Sequence, residues 1–480
     1  MSEPLSFKRN LKLLDSTAIV VGSMIGSGIF IVSADMSRQL GSPGWLLIAW
    51  IVTGIMTIIA ALSYGELAGM MPKAGGQYVY LREAFNPLTG FLYGWSLFSV
   101  IQTGTIAAVG MAFAKFMGVL VPWFSEKNVW LDLGFMQFNT VQLLAIASIV
   151  FLTWLNSRGI QAGKIVQNTF TLTKFLALLV FLIIGLFFAA NADAIHINTT
   201  NFWSAVQTSK DGSTITHLAG FAIVAAIGTA MVGSLFSSDA WNNITFTAAE
   251  VVNPKRNIPL SLFLGTLIVT IIYLLMNIVY LQVLPLRGSF EASTVVERGM
   301  QFATDDRLGT AAMSNIFGNS AVLIMAAFII ISTFGCNNGL ILSGARVYYT
   351  MSNDGLFFRK AGTLNKNQVP ATGLYIQCIW ASVLCLSGRY GDLLDYVVFA
   401  VLIFYVLTIL GVFVLRIKKP DAERPYRAFG YPILPAIYIL AACFIMVILL
   451  RYKSTFTWPG LIIVALGVPI YYGWNYFKKH

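Results

Sequence analysis

Charge is what this 480-residue chain has least of: Asp, Glu, Lys and Arg together make up 11%, where a soluble domain carries about 25%. That scarcity, with 57% hydrophobic residues and a mean hydropathy of +0.75, excludes a water-soluble fold and marks an integral membrane protein. Histidine is nearly missing. Of the three, His196 and His217 lie at or near the connection before the sixth apolar run and His480 ends the chain, so no imidazole is available at mid-membrane for a metal or a hydrolytic triad. Cysteine is scarce as well: Cys336, Cys378, Cys385 and Cys443 all fall inside apolar runs, which argues against an extracellular disulfide framework and against a thiolate metal site. Period-two alternation is also lacking, which excludes a β-barrel. Helices are the remaining way to satisfy a backbone in lipid.

What is present is a series of long apolar runs. A helix needs ~20 residues to cross ~30 Å of hydrocarbon. Runs of that order occur at 13–32, 46–71, 91–121, 138–155, 165–190, 218–250, 260–283, 321–349, 374–386, 393–415, 432–450 and 456–477, here numbered as spans 1 to 12. The fold class is therefore an all-α membrane bundle of about twelve helices, spans 4 and 9 being the weakest. The first run follows Lys8, Arg9 and Lys12 but is too long for a signal peptide and lacks a small-residue cleavage site, so it is expected to remain as a span. With an even number of spans, Lys8, Arg9, Lys12, Lys73, Arg82, Arg158, Lys164, Lys255, Arg256, Arg346, Arg359, Lys360, Lys366, Arg416, Lys418, Lys419, Arg424, Arg427, Lys478 and Lys479 share one side. The other side holds about half as many basic residues, so the positive-inside rule places both termini in the cytoplasm. The net charge of +11 is thus a topology signal, and no nucleic acid need be invoked. Connections are short except for 191–216 and 285–319, which puts the function inside the bundle and favours transport over anchoring.

Glycine is placed where a regular helix would avoid it. Span 1 carries GSMIGSGIF at 22–30, and span 6 carries GTAMVGSLFSSDAW at 228–241. Gly22 and Gly26 could form a small-xxx-small helix contact. Against that, Gly26, Ser27 and Gly28 in succession weaken a helix more than a packing face needs, at up to ~1 kcal/mol per glycine relative to alanine. If spans 1–5 (11–190) and 6–10 (217–417) are two five-helix halves, an odd number in each makes them inverted, each opens on an interrupted helix, and 432–477 is a final pair. Paired interruptions of this kind point to a transporter binding site. A break in span 1 exposes N–H donors at the positive end of its outer half-helix, suited to a carboxylate. A break near 236–239 frees carbonyls suited to an ammonium group. Together they match the two ends of an α-amino acid.

These segments, with GSPG at 41–44, YGELAGMMPKAGGQYVYLREAF at 64–85, FSSDAWNNITFTAAEVVNPKRNIP at 236–259 and FGCNNGLILSGARVYYTMSNDGLFF at 334–358, resemble the amino acid–polyamine–organocation superfamily of transporters. Within it the likeness is to the L-type amino acid transporter group and its bacterial members. The resemblance covers 11 to about 431 and implies the leucine-transporter-type fold of two inverted five-helix repeats with unwound spans 1 and 6. It further implies that Ser27 and Gly28, beside Gly26, present amides to the substrate carboxylate, and that Met24 and Ile25 line the same break. Phe236 would be an aromatic gate, with its carbonyl and that of Asp239 facing the amine beside Ser237, and Trp241 and Asn242 would follow the break. Asp239 stands where animal members have glycine. It reads either as a cap for the second half-helix or as a direct contact to a substrate amine or cationic side chain.

Lys174 lies nine residues into span 5, ~14 Å along the helix, beyond easy snorkelling. A lysine at that depth costs ~2.5–3.5 kcal/mol on insertion scales and reads as functional, although it could merely satisfy the bundle interior. By the resemblance its ammonium occupies the place of a sodium ion in sodium-driven relatives. It is expected to join the break in span 1 to span 8 through Ser332 or Cys336. Glu66 and Glu250, among Lys73, Lys255 and Arg256, read as a cytoplasmic gate rather than as proton carriers, Lys115 as a snorkelling lysine, and Tyr405 and Phe399 as core rather than as walls of the side-chain pocket. Animal L-type members pair with a glycoprotein through a cysteine between spans 3 and 4, but 121–140 contains none, so no disulfide-linked heavy chain is expected and the chain looks bacterial. The expected function is sodium-independent exchange of neutral amino acids across the inner membrane, with no cofactor and no enzymatic step. A proton-coupled importer and a membrane amino-acid sensor are the alternatives. The expected partners are the amino acid and the lipid bilayer.

Overall fold

The computed structural model describes residues 9–132, 137–318, 320–387 and 390–479. Lys8, Asn319 and His480 lie outside them. Among the described residues ten helices are long and apolar enough to cross a membrane, and Phe221–Ser237 and Ala371–Leu386 are shorter apolar helices. Span 4 reaches full length as Thr140–Ser157, while span 9 is among the two shorter ones.

Span 1 is divided into helices Leu13–Met24 and Gly28–Leu40. Ile25 adopts an extended conformation (φ −76°, ψ 91°) at the end of the first, so the i→i−4 ladder stops there and restarts after Gly26 and Ser27. Span 6 is a regular helix over Phe221–Ser237, after which the chain continues as the short turns Asn243–Phe246 and Ala248–Glu250. Ala240 between them takes φ +64°, a conformation costing an L-residue roughly 1–2 kcal/mol. Span 3 holds a feature with no glycine or proline signature: a π-helical turn at Leu97–Ile101 between helices Pro87–Ser96 and Gln102–Leu120. Thr103 Oγ1 donates to Phe98 O, five residues back, at 2.6 Å, which fits the widened turn.

The long connections are more structured than loops. The first contains helix Ala192–Thr200 and a hairpin of Val206–Thr208 with Ile215–His217. The second contains helices Val295–Arg298 and Leu308–Phe317. They cover the second half-helix of span 1, where buried Arg38 donates to Gln301 O at 2.6 Å and pairs with Asp306 at 2.7 Å.

At the opposite end, Asn10 and Leu11 donate to Glu250 O at 2.9 and 3.0 Å, tying the start of span 1 to the end of span 6. Glu66 and Glu250 are both 1% exposed. Their partners are arginines distant in sequence, not the expected Lys73, Lys255 and Arg256. Arg416 reaches Glu66 with two nitrogens, at 2.9 and 2.6 Å, Arg424 lies at 3.3 Å, and the Ala428 N–H donates at 2.7 Å. Arg346 pairs with Glu250 at 3.0 Å. A buried carboxylate needs a fixed charge-assisted partner, and an arginine fork supplies one better than the exposed lysines near it in sequence.

Candidate functional site

The break in span 1 leaves the last carbonyls of helix Leu13–Met24 without intrahelical donors. Side chains from three other helices supply them. Lys174 Nζ donates to Gly22 O at 2.5 Å and to Ile25 O at 2.6 Å. Cys336 Sγ donates to Ser23 O at 3.0 Å and Ser332 Oγ to Ile25 O at 3.2 Å. The four-residue spacing of Ser332 and Cys336 puts both on one face of the helix. Tyr273 lies 2.9 Å from Met24 O. Lys174 is 2% exposed, and its ammonium sits at the negative end of the half-helix, where a cation is favoured. Ser332, Cys336 and Lys174 thus converge on one turn of span 1, with Lys174 and Ser332 sharing Ile25 O and Cys336 on Ser23 O.

Tyr273 was not singled out by sequence. Its hydroxyl stands 2.9 Å from Met24 O and 3.1 Å from Ser237 O, one acceptor from each break. A phenol has one proton to donate, so the hydroxyl can serve either break in turn. A tyrosine inside an apolar run carries no pattern that marks it. Only its polar tip in a dry interior would have suggested a partner.

The two breaks are in contact at Gly28. A β-carbon there would lie 2.1 Å from Ser237 Oγ and 2.9 Å from Ser237 Cα, so side chain and backbone both fill the space. At Gly26 the nearest atom to such a carbon is Cys336 Sγ at 3.0 Å. Phe236 is buried, and its carbonyl accepts the Asp239 N–H at 3.2 Å, with one lone pair left over.

Asp239 does not cap the next helical turn, which starts at Asn243 after Asn242 with no side-chain cap. Its carboxylate accepts from the Tyr405 hydroxyl at 2.5 Å, which gives Tyr405 a polar role beyond the expected core packing; Phe399 is buried as expected. Trp241 packs between Tyr64 and Tyr405, with ring centroids at 4.8 and 5.2 Å. Asn242 donates to Gln77 Oε1 at 2.9 Å. Asp239, Val401 and Tyr405 form the common wall of two voids of about 20 Å³ each, room for about one water apiece. The π turn of span 3 borders one of them through Leu97 and Ile101. Voids this small hold no amino acid beside Asp239 and Tyr405.

This geometry provides a fixed cation on an opened helix end, a carboxylate facing small voids, and two helix interruptions joined through Tyr273 and the Gly28–Ser237 contact. The amino acid permease family model matches residues 11–472. The chain is 30% identical to the mouse b(0,+)-type amino acid transporter 1, over 98% of this chain and 90% of that protein. It is 28% identical to the human large neutral amino acids transporter small subunit 2, over 97% of this chain and 80% of that protein. With an all-helical membrane bundle, two broken helices and a match along nearly its whole length, this chain belongs to the amino acid permease family, as an L-type-like transporter rather than an enzyme.

Proposed function

We propose that the chain exchanges neutral L-amino acids across the membrane by alternating access, without sodium. The observation that carries this reading is the Lys174 ammonium on the carbonyls of Gly22 and Ile25: a built-in cation holds the opened end of span 1 where a transported ion would otherwise be needed. The ten long helices with the two shorter ones give about twelve spans, arranged as repeats 11–190 and 217–417 and a final pair 432–477. In this reading Gly26, Ser27 and Gly28 receive the carboxylate beside Met24 and Ile25. Ser237, Asp239, Trp241 and Asn242 receive the amine and side chain, with Phe236 as gate. Ser332 and Cys336 hold the break with Lys174. A conformation closed at both ends is the intermediate from which either end opens. The relatives' names support amino acids as the substrate class, and the lack of cysteine in 121–140 supports a carrier without a disulfide-linked companion. Both termini face the cytoplasm of a bacterial cell, in its inner membrane.

The test is competition against a labelled neutral amino acid. Amino acid methyl esters and N-acetyl amino acids each remove one charged end and should compete about ten- to hundredfold less well, the value of one charge-assisted hydrogen bond. Side-chain variants of similar size should compete well. Equal competition by the esters would refute recognition through the breaks.

A proton-coupled cycle is favoured by one observation, the Asp239 carboxylate held by the neutral Tyr405 hydroxyl beside two water-sized voids. Tyr405→Phe removes this donor at nearly constant volume. Uptake per inserted protein is expected to fall about tenfold, and unchanged uptake would show that the bond plays no part in the cycle.

A further inference from the structure

An apolar cleft of about 850 Å³ opens on the side of the bundle, at the end that bears residues 10 and 11. Span 2 contributes Ile58 and Leu62, span 7 contributes Phe263, and span 11 contributes Leu434, with Phe429 from the segment before it closing the cleft. Its volume lies in the range of ligand pockets. Lys255 and Arg256 stand on its rim. Both are exposed. Lys255 pairs with Glu423 at 2.7 Å, but the two side chains are 52% and 72% exposed, so this bond is weak and displaceable. Arg256 makes no ion pair among the described residues.

We infer that this cleft is a binding site for an anionic glycerophospholipid, its acyl chains along Ile58, Leu62, Phe263 and Leu434 and its phosphate on Arg256 and Lys255. The apolar depth decides for a lipid over a free anion. Two cations offset by a single carboxylate decide for an anionic headgroup, because a zwitterionic one brings its own cation to the same rim. Basic pockets between membrane helices select lipid headgroups in this way. The floor of the cleft links it to the gate. Tyr426 and Phe429 line it, and between and beside them Arg424 and the Ala428 N–H bind Glu66. A β-carbon on Gly65 would meet the Tyr426 ring at 3.0 Å, so span 2 packs closely on the floor beside the Glu66 network. A bound lipid stabilises the closed gate.

The test uses the purified full chain in zwitterionic lipid nanodiscs, with and without added phosphatidylglycerol, read by thermal melting. Ligand binding to the folded state raises the melting temperature, so phosphatidylglycerol should raise it by a few degrees. The exposed-site double variant Lys255→Gln, Arg256→Gln should lose that rise, while Lys73→Gln, Lys366→Gln, which removes two charges elsewhere, should keep it. Equal behaviour of the two double variants would overturn the site in favour of surface charge alone. So would an equal rise with inorganic phosphate, or with more zwitterionic lipid. Leu62→Trp, which fills the cleft and leaves the rim intact, should also lose the rise; a full rise in that variant would overturn the acyl-chain placement.

Discussion

Replacing Lys174 by alanine is expected to lower amino acid uptake at least about a hundredfold per inserted protein. Two charge-assisted hydrogen bonds, to Gly22 O and Ile25 O, are lost at once, and bonds to charged groups contribute ~1.5–3 kcal/mol each. The loss falls on the function because these bonds hold the helix end that must change shape, and the C-terminal dipole is left without its cation. Lys174→Met keeps most of the volume and should be equally inactive, separating charge from packing. Lys174→Arg should not restore uptake, since the planar fork cannot take the place of a compact ammonium between two carbonyls. Uptake by labelled substrate, normalised to membrane-inserted protein, checks all three, and an active alanine variant would remove Lys174 from the mechanism.

Gly28→Val is the second substitution expected to abolish transport. Its β-carbon would stand 2.9 Å from Ser237 Cα, so backbone rather than a mobile side chain must yield, and the two breaks would be pushed apart. Gly28→Ala should already cost about tenfold or more, because overpacking in a close contact costs ~1–3 kcal/mol. Gly26→Ala is a contrasting case. There the obstruction is the single sulfur of Cys336 at 3.0 Å, so Gly26→Ala should be milder, and Cys336→Ala in the same chain should relieve it. Removal of Ser237 Oγ by Ser237→Ala leaves the backbone clash at Gly28 in place and should not rescue Gly28→Ala. Competition binding on detergent-purified protein reads these effects apart from insertion. Wild-type binding by Gly28→Val would refute the contact as part of the site.

Much of this arrangement can be read from residues alone. Gly26, Ser27 and Gly28 in a row locate the break because together they weaken a helix more than a packing face needs. Lys174 announces itself because a cation at mid-membrane depth demands a partner. Other parts are invisible for physical reasons. Tyr273 spans both breaks, yet a lone tyrosine in an apolar run looks like a packing residue. Glu66 finds Arg416, 350 residues away, while Lys73, near it in sequence, stays in solvent, because burial selects the arginine fork. The Asp239 side chain satisfies N-cap statistics on paper, but the following turn starts later and Tyr405 claims the carboxylate. The π turn at Leu97–Ile101 is set by packing against the helices around it and leaves no signature of its own.

The measurement that tests the central claim most directly is uptake of a labelled neutral amino acid into liposomes holding the purified chain, in sodium-free buffer, with the lumen either empty or loaded with unlabelled amino acid. The account predicts uptake only into loaded liposomes, unchanged when sodium is added. Uptake that needs sodium, or that proceeds equally into empty liposomes, would contradict it.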